Sequence, residues 1–423
     1  MVADDGGPNL CIDTQDKGYD MSSSKVLFNP MAPGFLENPY PFYEALRNED
    51  PWHLSPMGYY VVSRFDDVTA VLRDRRFGKL WRGPKGNKID AETAKKAIFQ
   101  SIGQWMLERD PPDHTRIRGC FAQAFTARRV EAMRVHIEEI VERILDELQP
   151  RGHMDVVRDF ALSVPLISIT DILGVPAEDR PLMHKVSRFI GRLSDPVPLD
   201  QAEIEQIDAD FRLLADYFER LIIARERNPG DDLVSQIAVA ARGEKLSMAE
   251  VVGNLVLVFV AGHETTTNII GTALLALHRH PDQFRMLRQQ PTLMPRAVGE
   301  FLRYDNSIQI ASRTAKEDIA MGGAEIKKGV DVLLLLGSAN RDGAVFSNPD
   351  KFDIQRPEQE LASFGGGIHF CIGAQLSRIE IECALNALLR RLPDFRITEP
   401  ENPKWRPSVV MRGLDQLPAA WTV

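Results

Sequence analysis

A mainly α fold with small β-sheets is predicted for this 423-residue chain from three observations. Apolar residues recur at spacings of three and four through most of the chain after Asp113, the signature of amphipathic helices. One helical pattern, opened by Ser247-Met248-Ala249-Glu250 and closed at His280-Pro281, runs ~30 residues and so ~45 Å. Alternating stretches of the kind that make strands are few and short.

Taken in order, residues 1–25 are polar, acidic and Gly/Ser-containing, without the apolar core of a signal peptide, and are expected to be disordered. From Phe28 to Arg76, Pro-rich turns surround a helix at Pro41–Asn48 and a strand at Tyr59–Ser63. The Gly-, Lys- and Arg-rich run Gly78–Gly103 lacks a sustained period and reads as mostly loop. Val130, Met133, Ile137, Ile140, Val141, Ile144 and Leu148 mark one amphipathic helix. Further helices are expected over Val156–Leu173, Pro181–Leu193, Ile204–Arg227 and Asp231–Ala241, with Ser194–Pro198 a loop. In the long pattern, Ser247 and Glu250 form a capping box, and Val251–Ala261 is apolar on nearly every side, so that helix is buried. Helices at Asp282–Gln289 and Met294–Tyr304 follow, then short strands including Val330–Leu336, an irregular stretch Ala339–Ser363, and a helix after Gly373. No linker divides residues 26–423, which read as a single domain.

Composition narrows the function. A net charge of −9 disfavours nonspecific nucleic-acid binding. No run of apolar residues approaches the ~18 needed to cross a bilayer, so no membrane partner is expected. Cys11, Cys120, Cys371 and Cys383 are widely spaced with no C-x-x-C pair, which argues against a disulfide framework or zinc site and for a reducing, cytoplasmic location. One basic stretch stands out: His114–Val130 carries Arg116, Arg118, Arg128 and Arg129 without an acid. It reads either as a solvated helix face or as a docking face for an acidic partner.

The densest chemistry lies in Phe364-Gly365-Gly366-Gly367-Ile368-His369-Phe370-Cys371-Ile372-Gly373. Glycines let backbone N–H groups turn toward a sulfur and clear space for a flat cofactor. A helix start behind Cys371 favours its thiolate, and Phe364 can shield the sulfur from water. A lone cysteine is more often a buried structural residue. This run, however, resembles the haem-binding loop of the cytochrome P450 family, Phe-Gly-x-Gly-x-His-x-Cys-x-Gly, at every fixed position. The resemblance implies the family's triangular helical prism, with the long central helix over haem b (iron protoporphyrin IX), and Cys371 as the thiolate ligand to iron. Phe364, Gly365, His369 and Gly373 then belong to the cofactor-binding loop.

Other segments acquire roles from the same resemblance. Ala261-Gly262-His263-Glu264-Thr265-Thr266 places an acid beside an alcohol in an apolar helix. Thr265 can bond back to the carbonyl of Ala261 and open a polar notch. Read alone, this is a helix irregularity with satisfied polar groups. It resembles the family's Ala-Gly-x-Asp/Glu-Thr pattern, which implies Glu264 and Thr265 as the catalytic pair delivering protons to oxygen, with Ala261 against the haem. Glu300 and Arg303 match the family's Glu-x-x-Arg pair and, with Arg356, imply a structural trio. His114, Arg118, Arg313 and His369 match propionate-binding positions. The expected substrate pocket comprises Ile98, Val258, Ala261, Ile308, Ile310, Val410 and Met411, with Ile190–Leu199 as a mobile lid.

The implied activity is haem-thiolate monooxygenation, inserting one oxygen atom of O2 into a small hydrophobic substrate. Without a fused flavin or nicotinamide domain, electrons are expected from a separate ferredoxin or flavodoxin with its reductase. The docking face would be Arg116–Arg129 with Arg378, and the protein a monomer. A peroxide-driven peroxygenase on the same fold, or a non-catalytic haem or ligand-binding protein, are the alternatives.

Overall fold

A computed structural model describes residues 26–79, 92–187, 193 and 199–423. The expected disordered segment 1–25, the Ser194–Pro198 loop and most of the Ile190–Leu199 lid lie outside these residues. Helix predominates, as the periodicity predicted. Helices α1 (Tyr40–Glu49), α2 (Phe65–Arg73) and α3 (Ala97–Ile102) precede α4 (Asp113–Ala122), α5 (Ala127–Ala132) and α6 (Arg134–Leu148). After them come α7 (Ser163–Leu173), α8 (Arg180–Ser187), α9 (Gln201–Arg227) and α10 (Leu233–Gly243). The C-terminal half holds α11 (Met248–Arg279), α12 (Pro281–Gln289), α13 (Met294–Tyr304), α14 (Leu336–Ala339) and α15 (Ala374–Arg391).

The 32-residue α11 is the axis of the molecule. Its capping box forms as the sequence predicted: Ser247 Oγ accepts from the Glu250 N–H, and the Glu250 carboxylate accepts from the Ser247 N–H. Helices α7, α9, α15, α12 and α13 pack around it. Gly262 allows α7 to approach closely, because a Cβ there would lie 2.9 Å from Ile169 Cγ1. By length and hydropathy α11 could cross a membrane, which the sequence reading did not anticipate. In this fold 72% of its most apolar window is buried within the protein, so core packing accounts for its composition.

Five short strands meet in the sheet that places the site. In a five-stranded sheet, β1 (Trp52–Leu54), β2 (Tyr60–Val62), β8 (Asp331–Leu335), β5 (Ile310–Ala315) and β3 (Phe77–Gly78) lie in that spatial order, with β2 and β8 parallel. Pairing of β3 with β5 sets Gly78 opposite Thr314, which brings Lys79 beside Arg313. The hairpin β6 (Ile319–Met321) and β7 (Ala324–Ile326) is separate. Near the C-terminus β12 (Pro418–Ala420) pairs with both β4 (His153–Asp155) and β9 (Arg396–Ile397), and β10 (Lys404–Trp405) with β11 (Leu414–Gln416).

The structure departs from the sequence reading at several places. Helices α2 and α3 occupy stretches read as turn or loop. The single helix expected through Val130–Leu148 is broken at Met133 into α5 and α6. The helix expected over Val156–Leu173 begins as a π-helical turn, Val156–Ala161, and becomes α-helical only from Ser163. Pro165 falls in the first turn of α7, where a missing N–H costs nothing.

Candidate functional site

Two motifs far apart in sequence are held in one region. On α11, nearly every residue from Val251 to Leu277 is buried; the exceptions are Ala261, Gly262 and Thr265. This is the segment in which the sequence placed a polar notch. Thr265 Oγ1 donates to the Ala261 carbonyl at 3.1 Å, the back-bond expected of it, and Glu264 is buried at 6% exposure. Next to it Thr266 Oγ1 donates to Ser377 Oγ on α15 at 3.0 Å. Since α15 starts three residues after Cys371, this bond ties the Ala261–Thr266 segment of α11 to the cysteine loop.

The loop itself is a tight turn. The Cys371 N–H donates to the Phe364 carbonyl at 3.0 Å, and that of Gly365 to Ala362 at 2.9 Å. Gly367 has φ of +64°, and a Cβ there would sit 2.4 Å from the Leu72 carbonyl oxygen, so neither backbone nor space admits a side chain. Phe364 is half-buried, in edge contact with Phe370 at 6.3 Å and beneath the Arg378 guanidinium at 5.3 Å. Ile368 and Phe370 turn apolar surface outward at 43% and 46% exposure. The Cys371 side chain is exposed, yet desolvation by the protein packed around it raises its thiol above its ordinary pKa, while the Gly373 N–H and the Arg118 guanidinium pull it down. Desolvation is the largest influence, so the helix start alone does not secure the thiolate. A positively charged metal at the sulfur would.

Beside the loop, cations converge. His114 and Arg118 share one face of α4, and the rings of His114 and His369 meet at 4.5 Å between centroids. Arg118 donates to the Phe370 carbonyl. Arg313, on β5, is buried at 5% exposure. Burial, followed by the charges of Arg313, Lys79, His114 and Arg118, drives the His369 pKa down to about 2. Both ring nitrogens of His114 and Nε2 of His369 are buried without a hydrogen-bond partner. Such a cluster is costly unless anions sit within it. The arrangement fits a flat group with two carboxylates at one edge and a thiolate-binding metal at its centre, which these residues could hold. Sequence reasoning missed Lys79, whose ammonium also reaches Glu108 at 3.3 Å; lying in a basic, aperiodic run, it gave no local signal.

The structural trio also assembles. Glu300 accepts from Arg303 Nε and Nη2 at 2.7 and 2.8 Å and from Arg356 Nε at 3.1 Å. The pocket candidates separate into two groups. Ile308 bridges to Met411, and the Gln309 N–H donates to the Val410 carbonyl, so these neighbours of Ile310 lie side by side. Ile98 and Val258 belong to the core cluster around α3, α9 and α11, with Ile98 fully buried. Of the basic stretch, Arg116 pairs with Glu250 and Asp113 and Arg118 turns toward the cysteine loop, leaving Arg128 and Arg129 exposed.

Comparison with known proteins agrees with this geometry. The sequence model of the cytochrome P450 family matches residues 52–412. Cytochrome P450 133B1 of Xylella fastidiosa is 38% identical, over 91% of this chain and 96% of that one. The polyketide biosynthesis cytochrome P450 PksS of Bacillus subtilis is 37% identical, over 94% and 99%. Among solved structures, P450BioI in complex with an acyl carrier protein carrying hexadec-9Z-enoic acid superposes with a TM-score of 0.86 at 35% identity, covering 92% of this chain and 100% of that one.

Proposed function

The chain belongs to the cytochrome P450 family, and from that premise we propose roles for its residues in the family's haem-thiolate monooxygenase reaction. The enzyme uses haem, O2 and electrons from a redox partner to oxygenate a hydrophobic substrate. The haem, when bound, supplies the oxygen activation and the oxidising power. Cys371 is the thiolate ligand, and Phe364 and the glycine loop limit water at its sulfur. His114, Arg118, Arg313 and His369 bind the two propionates, with Lys79 adding to their field. On the α11 side Glu264 and Thr265 carry protons toward the oxygen substrate, beside a wall made by Ala261, Ile308, Ile310, Val410 and Met411.

The observation that carries this reading is the convergence of Lys79, Arg118, Arg313 and His114 on His369, two residues from Cys371. Positive charge gathered around partnerless ring nitrogens calls for a dianion. Residues 26–423 act as one catalytic domain, a cytoplasmic monomer supplied by a separate ferredoxin or flavodoxin. Substrate is a hydrophobic or amphipathic small molecule. Screening purified protein for ligands that shift the haem spin state, then supplying a ferredoxin system under isotopically labelled O2, tests the reading. One labelled oxygen atom in the product supports it. Turnover with peroxide but none with reductant and O2 refutes it.

A further inference from the structure

A carboxyl that this reaction scheme leaves unused lies in the core. Glu380 is on α15, nine residues beyond Cys371, at 1% exposure. It occupies the apolar face of its helix, one turn from Leu376 and Ala384, so sequence phase alone marks it as anomalous. Its surroundings are the hydroxyls of Ser168 on α7 and Thr266 on α11. Those hydroxyls have directed their protons elsewhere: Ser168 donates to the Val164 carbonyl at 2.9 Å, and Thr266 to Ser377 Oγ at 3.0 Å. Neither carboxyl oxygen of Glu380 has a hydrogen-bond partner.

A carboxylate can only accept, and the two hydroxyls within its reach, which would lower its pKa by donating to it, are already bonded to other acceptors; a neutral carboxylic acid can donate to either hydroxyl oxygen. Burial pushes the Glu380 pKa up to about 8, in agreement with that geometry. Several charged groups on the helices around α15 are engaged with one another, and Glu138 on α6 acts on Cys383 rather than on Glu380. On α6, Glu142 and Asp146 meet Arg390 and Arg391, and Arg134 meets Glu131 and Glu382. On α13, Glu300 and Arg303 meet each other; on α7, Asp171 meets His136 and Arg180; on α5, Arg129 meets Gln236, and Arg128 is exposed. On α11 the adjacent titratable residues are His263, whose Nδ1 bonds the Phe259 carbonyl, and Glu264.

We propose that Glu380 is a positioning residue that works as a neutral acid, its proton holding together the Ser168–Thr266–Ser377 junction that sets Thr265 in place relative to the Cys371 loop. The inference rests on the role given to Thr265 above. Loss of the proton would place a bare negative charge among three helices and loosen the junction beside Thr265. Electrons and oxygen would then be consumed with less product formed.

The test compares wild type, Glu380→Gln and Glu380→Met as haem-loaded enzymes, with product formed per electron pair measured across a pH range spanning about 8. Wild type should lose coupling as pH rises through that range. Glu380→Gln, a permanent neutral donor, should keep coupling flat. Glu380→Met should lower it at every pH, on the order of tenfold, below the roughly 100-fold that a full 1 Å misplacement can cost. Independently of activity, the infrared carbonyl band of a protonated carboxylic acid should be present in wild type at neutral pH and missing in Glu380→Gln. Equal pH profiles for wild type and Glu380→Gln, or the absence of that band, would overturn the proposal. Thr265→Ala separates the two readings. If it leaves coupling intact, the role of Thr265 fails. If it uncouples while Glu380→Met does not, only the role of Glu380 fails.

Discussion

Replacing Glu300 by Ala tests the scaffold beneath the cysteine loop. The carboxylate accepts from four donors: two N–H groups of Arg303, Nε of Arg356, and the backbone N–H of Asp353 at 2.8 Å. Both side chains of the Glu300–Arg303 pair are 1% exposed, so solvent cannot replace what is removed. Truncating one partner of a buried pair costs about 3–5 kcal/mol, most of it from the charge left behind. Arg303 would keep the carbonyls of Asn340, Pro349 and Lys351 at 3.0, 2.7 and 3.2 Å. These hold part of its charge, which places the expected loss near the lower end, about 3 kcal/mol. Arg303→Lys keeps the charge but loses the planar fork that reaches carboxylate and carbonyls together, so an intermediate loss is expected. Equilibrium urea unfolding followed by circular dichroism gives the number. A loss under about 1 kcal/mol, the range of exposed ion pairs, would show that the trio is not the buried scaffold described.

Other perturbations have equally definite signs. Arg313→Leu removes a buried cation from the group around His369, so it should speed haem transfer to an acceptor globin. A lost charge-assisted hydrogen bond of roughly 1.5–3 kcal/mol corresponds to about 10–150-fold in haem affinity. Glu380 contributes to pH-dependent stability in a fixed direction. Its folded pKa of about 8 exceeds the ordinary 4.5, so the folded state holds the proton more tightly. The stability this confers is complete below about 4.5 and is lost as pH rises to about 8, up to about 5 kcal/mol. Urea midpoints of wild type should therefore fall relative to Glu380→Gln across that window and run parallel above it. Glu substitutions at the exposed Arg128 and Arg129 should slow reduction by a ferredoxin without changing substrate affinity, read by stopped-flow reduction and ligand titration.

Local signals made α11 and the cysteine loop legible, because each carries its own start, period and stop. Ser247 and Glu250 cap α11 within four residues of chain, and His280-Pro281 closes it. Helices α2 and α3 were not legible for a common reason: distant aspartates hold their first N–H groups. The Phe65 N–H donates to Asp342 Oδ2 at 2.9 Å, and that of Ile98 to Asp208 Oδ1 at 3.0 Å. Neither start is written in the neighbouring sequence. The short C-terminal strands β9–β12 are two or three residues each, too brief for alternation to register. Within the site, family motifs located His114, Arg118, Arg313 and His369, which the fold brings together. Lys79 joins them only through the pairing of β3 with β5, a nonlocal contact. Glu380 did leave a trace, as an acid in the apolar phase of α15.

The most direct test of the whole account is the absorption spectrum of the reduced, carbon monoxide-bound protein, compared among single Ser variants of Cys120, Cys371 and Cys383. A thiolate-ligated spectrum should persist in the Cys120 and Cys383 variants and vanish in Cys371→Ser. Persistence of that spectrum without Cys371 would contradict the assignment on which every other role depends.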